Sequence, residues 1–363
     1  MDFIAGQTSV WQSLAQTQKP IAVYGMGDGA EKILRVCDEK GIRVDSIFAS
    51  DEYVRGHSFM GYRVKRLDEV TAEYGDIVIV VAFAVHDEGM LSRLNELDSR
   101  YELYAPDVPV AGGGLFDEEY VRNNALDLET AYHLWEDDLS RQVFLDLVRF
   151  KVSGRLQYLR STQSPKEDAL LQIIRPHARE RYVDLGAYDG DTIRELLRYT
   201  GGAFEQITAF EPDAKNLKKL RDKLSASLQP HMLPRVQAHN LLAHSAKATL
   251  TFAARAGRNS ALAKKGEAKT KELAADSVDN MLAGCPATLI KLDVEGAEHN
   301  ALLGCAKTIR QFAPRLIVSA YHRNEDLFDL PLLVKRLNPA YKLYLRRHPY
   351  VPAWDINLYA VTG

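Results

Sequence analysis

The chain has 363 residues and a formal net charge of −3, and 26% of its residues are charged. This length predicts two domains, and the balanced charge argues against a general affinity for nucleic acid or for an anionic membrane. The three cysteines, Cys37, Cys285 and Cys305, lie far apart and predict neither a disulfide framework nor a zinc site.

The segment Met1–Lys19 has no basic stretch followed by an apolar run. No other stretch approaches the roughly twenty apolar residues that are needed to span a bilayer. We therefore expect a cytoplasmic protein with no integral membrane segment. Association into a homo-oligomer is compatible with this sequence.

The first elements in the chain predict a Rossmann-like accessory domain over residues 1–110. Strand, glycine turn, helix and strand follow one another in the order of a βαβ unit. The predicted elements are a strand at Ile21–Tyr24, the turn Gly25–Ala30, a helix at Glu31–Glu39 and strands at Val44–Phe48 and Asp76–Ala82. The spacing Gly25-x-Gly27-x-x-Ala30 is only a weak dinucleotide-binding signal, and we favour a scaffold or acceptor-binding wall that binds no NAD.

A helical connector is predicted over residues 111–165. Gly112-Gly113-Gly114 interrupts the chain at its start. Apolar residues then recur every three or four positions, which is typical of a helix with one buried face. These residues are Tyr132, Trp135, Leu139, Val143, Leu147 and Phe150.

From residue 166 to 363 the pattern predicts a second, catalytic α/β domain with an open, mostly parallel sheet and helices on both faces. Strands are predicted at Tyr182–Leu185, Gln206–Phe210, Val236–Leu241, Ala248–Phe252, Leu289–Asp293 and Leu316–Ala320. Helices are predicted at Thr192–Tyr199, Asp213–Ser225 and Ala297–Arg310. Lys342–Leu345 and Leu358–Val361 are expected to close the sheet as an antiparallel pair, and the charged segment 264–271 is expected to be a surface loop.

The turn after the first strand of this domain reads Val183-Asp184-Leu185-Gly186-Ala187-Tyr188-Asp189-Gly190-Asp191-Thr192. Glycines at such a turn let the backbone approach a ligand closely and expose helix N-terminal amides. The acids of this loop would repel a pyrophosphate but not a ligand that carries a sulfonium and an ammonium group. The loop therefore favours S-adenosylmethionine over NAD as the cofactor.

The next strand ends in Phe210-Glu211-Pro212-Asp213, and Glu211 lies 21 residues beyond Gly190. An acid at the end of the second strand can accept hydrogen bonds from both ribose hydroxyls. The alternative is that Glu211 is only an acid near a helix N-terminus. The acidic loop followed by this acid favours the ribose role.

Chemistry is expected where the fourth and fifth strands end, because ligands of open α/β sheets lie at that edge. Asp293 and Glu295 follow the fourth strand, and His322 follows the fifth. Methyl transfer depends mainly on positioning, but a hydroxyl acceptor must also lose its proton to a base. His322 is the first candidate for this base and Asp293 the second. A structural role for His322 stays open, as does a divalent cation held by Asp293, Glu295, Glu298 and His322.

The residues that carry these motifs closely resemble the FkbM-type methyltransferases over roughly residues 115–363. The matching segments are 183–192, 209–213, 290–304, 313–331 and 338–348. The resemblance implies a seven-stranded class I methyltransferase sheet and S-adenosylmethionine-dependent O-methylation, with S-adenosylhomocysteine as the product. It also implies a saccharide, glycoconjugate or secondary-metabolite acceptor. Segment 253–275 is the least familiar part and is expected to influence the choice of acceptor.

The resemblance assigns roles by motif position. His322 and Asp293 are the expected catalytic residues. The expected cofactor-binding residues are Asp184, Gly186, Ala187, Tyr188, Gly190, Asp191, Thr192, Glu211, Pro212, Asp293 and Glu295.

Three other functions are weighed against this one. A nicotinamide- or nucleotide-sugar-binding protein would act through Gly25–Ala30, but no Tyr-x-x-x-Lys dyad follows in that domain. An inactive binding module is disfavoured by the unbroken motifs. A nucleic-acid methyltransferase would need a basic surface, and its fourth strand would end in Asn/Asp-Pro-Pro-aromatic, whereas this one ends in Asp-Val-Glu-Gly.

Overall fold

The computed structural model describes residues 2–253 and 270–363. These residues form a six-stranded sheet, a seven-stranded sheet and a small three-stranded sheet. The fold class predicted from the sequence, α/β with two Rossmann-like domains, is confirmed. The expected loop 264–271 and most of segment 253–275 lie outside the described residues, and residues 270 and 271 begin a strand.

The strands of the N-terminal sheet are β1 (Ile21–Tyr24), β2 (Ser46–Phe48), β3 (Ser58–Phe59), β4 (Tyr62–Lys65), β5 (Val78–Val81) and β6 (Glu102–Tyr104). Their order in the sheet is β3-β4-β2-β1-β5-β6. Strand β3 is antiparallel to β4, and the other pairs are parallel. The helices are α1 (Val10–Gln16), α2 (Asp28–Glu39), α3 (Leu67–Tyr74) and α4 (Glu88–Arg100), with a 3₁₀ turn at Asp51–Tyr53. Every residue of β1 and β5 is buried, as expected for parallel strands covered on both faces.

The connector is several helices and not one continuous helix. They are α5 (Glu118–Asn123), α6 (Ala125–Tyr132), α7 (Asp138–Ser153), α8 (Gln157–Arg160) and α9 (Lys166–Ala169), which continues as a π-helical turn at Leu170–Ile174. The side chain of Asp137 caps α7 by accepting a 2.8 Å hydrogen bond from the Ser140 backbone N–H. Gly154, with φ +66°, ends this helix.

The C-terminal half contains the seven-stranded sheet predicted by the resemblance. Its strands and those of the small sheet are β7 (Arg181–Leu185), β8 (Gln206–Phe210), β9 (Val236–His239), β10 (Leu242–Ala243), β11 (Ala248–Ala253), β12 (Thr270–Asp276), β13 (Leu289–Leu292), β14 (Arg315–Ser319), β15 (Lys342–Arg347) and β16 (Ile356–Val361). The large sheet has the order β15-β16-β14-β13-β7-β8-β9. As predicted, β15 and β16 form an antiparallel pair. Strand β16 is also antiparallel to β14, and the remaining pairs are parallel.

The helices of this half are α10 (Asp191–Tyr199), α11 (Ala214–Ser227), α12 (Val278–Leu282), α13 (Glu298–Leu303), α14 (Ala306–Phe312) and α15 (Asp326–Leu337), with a 3₁₀ segment at Pro230–Arg235. The prediction of one helix over Ala297–Arg310 is wrong, because the chain breaks between α13 and α14 at Gly304. A Cβ atom there would overlap the carbonyl oxygen of His244. The predicted strand at Ala248–Phe252 belongs to the small sheet, paired with β12.

The carboxyl ends of the two large sheets face each other. Val85, just after β5, exchanges two backbone hydrogen bonds with Val351, at 2.7 and 2.9 Å. Ala111, after β6, donates a 2.8 Å hydrogen bond to the carbonyl oxygen of His322, after β14. One continuous apolar core includes residues of both sheets and of α6 and α7. The division into residues 1–110, 111–165 and 166–363 stays a prediction.

Candidate active site

The turn after β7 requires glycine at two positions. Gly186 has φ +80°, and a Cβ atom there would overlap the carbonyl oxygen of Asp293. The backbone N–H groups of Gly186 and Ala187 both lie 3.0 Å from the carbonyl oxygen of Phe210. Gly190 has φ +81° and immediately precedes α10. The loop is therefore held between β8 and β13 at the sheet edge.

Glu211, at the end of β8, fixes this loop through both carboxylate oxygens. Oε2 accepts a 2.8 Å hydrogen bond from the Tyr188 backbone N–H, and Oε1 accepts one of 2.8 Å from Asp213. Asn240 holds the same turn by donating 2.9 Å hydrogen bonds to the carbonyl oxygens of Glu211 and Pro212. Burial, which outweighs the backbone hydrogen bonds, raises the pKa of Glu211 to about 7.

Two of the three loop acids are paired with cations that the motif did not reveal. Asp184 is fully buried, accepts a 2.5 Å hydrogen bond from Thr192 and lies 3.6 Å from Lys291 Nζ. Asp189 pairs with Lys223 and Arg194, and these cations lower its pKa against the effect of burial. Of the loop acids, Asp191 lines the adjoining pocket. The loop therefore carries less unpaired negative charge to favour a cationic cofactor than the sequence implied.

Lys291 on β13 connects the loop to the acids at the end of that strand. Its ammonium lies 3.6 Å from both Asp184 and Asp293. Burial disfavours the charged form, but the carboxylates, with Asp184 first, outweigh it and raise the pKa of Lys291. In return Lys291, followed by His322, lowers the pKa of Asp293 against the opposing effect of burial. Asp293 is therefore a carboxylate at neutral pH and is 34% exposed toward the pocket.

His322 is enclosed by acids at the end of β14. Its Nδ1 lies 2.9 Å from Glu298 Oε1, and its Nε2 lies 3.6 Å from both Asp293 and Glu295. Burial favours the neutral ring, but these carboxylates, with Glu298 first, raise the pKa of His322 to about 10. The ring is thus an imidazolium at neutral pH and has no free site to accept a proton. This state disfavours His322 as the base and favours Asp293.

The same cluster contains two further buried carboxyl groups. Glu298, the first residue of α13, is fully buried and accepts a 2.8 Å hydrogen bond from the Val294 backbone N–H. Asp326, at the start of α15, accepts a 2.8 Å hydrogen bond from the Arg323 backbone N–H. Burial, followed by the charge of Glu298, raises the pKa of Asp326 to about 8. The sequence analysis assigned Asp326 no role and named Glu298 only among the residues that could hold a divalent cation.

A cavity of about 510 Å³ opens beside Asp293 between the two facing sheets. The N-terminal half contributes Ala84 and Val110 to its wall. Its aromatic side chains are Tyr182, Tyr199, Tyr321, Tyr350 and Trp354. Its acids are Asp191, Glu195, Asp293, Glu295 and Asp355. The cavity can therefore accommodate a molecule that has both hydroxyl groups and apolar faces.

The N-terminal glycine turn is poorly suited to a pyrophosphate. Helix α2 begins with Asp28 and has Glu31 in its first turn, where negative charge opposes the binding of an anion. Gly29 packs so closely on β5 that a Cβ atom would lie 2.5 Å from the carbonyl oxygen of Ala82. Glycine at this position thus has a packing reason, independent of a nucleotide.

The structure brings the predicted residues together at one sheet edge in two groups. One group surrounds Gly186 and Glu211, and the other surrounds Asp293 and His322. Sequence reasoning missed Lys291 although it stands inside the motif at 290–304. A lysine within an otherwise apolar strand was the available signal for it.

Comparison with known proteins agrees with this geometry. Residues 184–350 match the methyltransferase FkbM domain, which confirms the resemblance seen in the motifs. No curated protein sequence matches the chain significantly. No helix among the described residues has the length and apolar character that crossing a membrane requires.

Among solved structures, the fold is similar to that of methyltransferase FkbM from Methylobacillus flagellatus KT. The TM-score is 0.74 and the identity 21%, over 99% of this chain and 92% of that one. An rRNA methylase from Streptococcus thermophilus matches with a TM-score of 0.35 and 13% identity, over 52% of this chain and 90% of that one. Fibrillarin from Aeropyrum pernix, solved with S-adenosyl-L-methionine, matches with a TM-score of 0.35 and 10% identity, over 54% of this chain and 71% of that one.

Proposed function

Residues 184–350 of this chain are a methyltransferase domain of the FkbM family, and on this premise we propose that the protein transfers a methyl group from S-adenosylmethionine to a hydroxyl oxygen of a saccharide or similar polyhydroxylated acceptor. The observation that carries the proposal is the position of Glu211. Its carboxylate lies at the end of β8, fixed against the glycine loop by the Tyr188 backbone N–H.

The residues around Glu211 fit a ribosyl cofactor. Each carboxylate oxygen accepts one backbone hydrogen bond and keeps a second lone-pair site for a hydroxyl group. Gly186 lets the loop lie directly against the backbone of Asp293, so the loop and the expected methyl-donating end share one edge of the sheet. We assign Asp184, Ala187, Tyr188, Gly190, Asp191, Thr192 and Pro212 to the same loop and Glu295 to its methyl-donating end.

When bound, S-adenosylmethionine would supply an electrophilic methyl group to the acceptor oxygen, with S-adenosylhomocysteine as the leaving group. The chain must orient that oxygen and take up its proton. We assign proton uptake to the carboxylate of Asp293, which is ionised and reaches the pocket. His322, enclosed below the pocket, orients Asp293.

The pocket supports a saccharide acceptor. Carboxylates such as Glu195 and Asp355 can accept hydrogen bonds from hydroxyl groups, and aromatic rings such as Tyr350 and Trp354 can cover the apolar face of a sugar ring. The same acids would repel a phosphodiester, so we do not expect a nucleic-acid acceptor. The walls at Ala84 and Val110 give the N-terminal half a role in acceptor binding that needs no nucleotide.

The test is isothermal titration calorimetry with S-adenosylhomocysteine, using Glu211→Ala and a matched loop variant. We expect wild-type binding in the micromolar range and a loss of at least about tenfold in Glu211→Ala, because hydrogen bonds to a charged group are lost. Asp189→Ala removes a loop acid that is already paired with Lys223 and Arg194, and we expect it to bind nearly as wild type. Binding of NAD in place of S-adenosylhomocysteine would refute the proposal.

A further inference from the structure

The cluster below the pocket contains polar atoms that have no hydrogen-bond partner although they are fully buried. The Nε2 atom of His322 and the Oε2 atom of Glu298 are in this state, whereas Nδ1 of His322 faces Glu298 Oε1 at 2.9 Å. The side chain of His322 is 1% exposed and that of Glu298 is 0% exposed. Orphaned atoms of this kind are rare in folded proteins and indicate a missing water or ion.

The geometry of the cluster fits a small cation. Asp293, Glu298 and His322 each offer one ligand atom, and these atoms all lie within 4.8 Å of one another. Two carboxylates and one imidazole are hard and intermediate ligands of the kind that bind Mn²⁺ and related divalent ions. The three side chains come from the ends of β13 and β14 and from the start of α13, so the sheet edge holds them in place.

The charge of the cluster also calls for a cation. The carboxylates of Asp293, Glu295 and Glu298 lie within 3.6 Å of one imidazole ring. The guanidinium of Arg323 is directed elsewhere, since its Nε donates a 2.6 Å hydrogen bond to the carbonyl oxygen of Gly296. Lys291 lies near Asp293 but is shared with Asp184. Acids therefore outnumber the cations at this point, and a divalent ion would balance them.

We propose that Asp293, Glu298 and His322 bind one divalent cation at the floor of the acceptor pocket, with release of the proton from the His322 nitrogen that binds the ion. This inference rests on the proposed function for its purpose, which is to place positive charge where an acceptor oxygen approaches the methyl donor. Oδ1 of Asp293 is the oxygen near His322, whereas Oδ2 lies near Lys291. A cation on the Oδ1 side would therefore leave Oδ2 available at the pocket.

The experiment titrates the chelator-treated full chain with Mn²⁺ and follows free Mn²⁺ by electron paramagnetic resonance. We expect one ion per chain, and a ligand nitrogen visible in the electron spin echo of the bound ion. Glu298→Gln keeps the size of the side chain but removes its charge, and should weaken Mn²⁺ binding by at least about tenfold. Glu325→Gln removes an acid that is 45% exposed and paired with Arg323, and should leave binding within about twofold of wild type.

Three results would overturn the proposal. The first is the absence of saturable Mn²⁺ binding up to roughly 1 mM, which is the weak end of protein sites for divalent cations. The second is an equal loss of Mn²⁺ affinity in Glu298→Gln and Glu325→Gln. The third is a bound ion that has no nitrogen ligand. Thermal unfolding checks that Glu298→Gln is folded, and Asp293→Asn replaces it if it is not, because Asp293 is 34% exposed. Binding of S-adenosylhomocysteine, measured on the same sample, tests the proposed function separately. The Mn²⁺ titration reports on the cation site whether or not S-adenosylhomocysteine binds.

Discussion

At the scale of single residues, we expect the affinity for the cofactor to depend on whether Glu211 is ionised. Burial raises the pKa of this carboxyl to about 7. Ribose hydroxyls donate hydrogen bonds, so they bind the carboxylate better than the neutral acid. Lowering the pH through this pKa protonates Glu211 and so removes the carboxylate that binds the ribose. We therefore expect the affinity for S-adenosylhomocysteine to fall about tenfold between roughly pH 8 and pH 6. Calorimetry across this range measures the change.

Glu211→Gln provides the control for this pH dependence, because its side chain does not titrate. Its affinity should be weaker than that of wild type, since the amide would set an N–H donor against one of the backbone N–H groups of Tyr188 and Asp213. It should also be nearly constant over the same pH range. A wild-type affinity that does not change with pH would contradict the role of the carboxylate.

The close packing of Gly186 can be tested by comparison with Gly201, because both glycines have a positive φ but differ in their surroundings. Gly186 has φ +80° and lies against the backbone of Asp293, whereas Gly201 has φ +63° with nothing within 4 Å of a built Cβ atom. Gly201→Ala should cost about 1 kcal/mol of unfolding free energy from backbone strain alone. Gly186→Ala adds an overlap with backbone and should cost at least about 2 kcal/mol more. Urea denaturation compares the two variants, and equal losses would show that the close approach carries no energy.

Local sequence predicted which residues meet at this sheet edge but not their charge states. The order of strands and turns placed Glu211, Asp293 and His322 at one edge, because parallel strands end there together. Neutralisation of Asp189 depends on Lys223, which lies 34 residues away in the sequence. The imidazolium state of His322 likewise depends on acids that surround it in space. A histidine read from its spacing alone suggests a base, whereas its environment makes it a cation.

At the scale of elements, helix α7 is tied to the N-terminal half by a buried ion pair. Lys151 Nζ lies 2.5 Å from Asp107 Oδ2, and both side chains are 3% exposed. Lys151→Met would leave the Asp107 carboxylate buried without its cation. We expect a loss of about 3–5 kcal/mol in unfolding free energy, measured by urea denaturation.

The matched control is an ion pair on the surface. Arg93 and Glu96 lie 3.1 Å apart on α4, and their side chains are 42% and 50% exposed. Arg93→Met should change stability by no more than about 0.5 kcal/mol. The double variant Lys151→Met with Asp107→Leu should recover part of the loss, because it removes the unpaired charge. A loss of similar size in both single variants would argue against burial as the cause.

Elements with strong internal patterns could be predicted, and those defined by contacts could not. Strands β1 and β5 are continuous apolar runs and were identified within two residues of their observed ends. Strands β3, β4 and β6 are short and lie toward the sheet edges, where one exposed face weakens the pattern. The break between α13 and α14 results from the close approach of Gly304 to His244, which no local signal reveals.

At the scale of the whole molecule, the pocket exists because the two sheets face each other at their carboxyl ends. The backbone pair Val85–Val351 and the hydrogen bond from Ala111 to His322 join the halves beside the site. An apolar core that is continuous from one sheet to the other adds to this junction. A cofactor held at Glu211 should consequently stabilise both halves and not the catalytic half alone.

Scanning calorimetry tests whether the two halves of the chain are coupled in unfolding. The chain should unfold in a single transition, because the halves share a core and lose the same contacts together. S-adenosylhomocysteine at about one hundred times its dissociation constant adds about 2.7 kcal/mol of stability. For a chain of 363 residues this shifts the midpoint of the whole transition upward by about 3–4 °C. NAD should produce no shift. Two transitions, only one of which moves with the ligand, would mean that the N-terminal half folds independently and that its wall of the pocket is a loose contact.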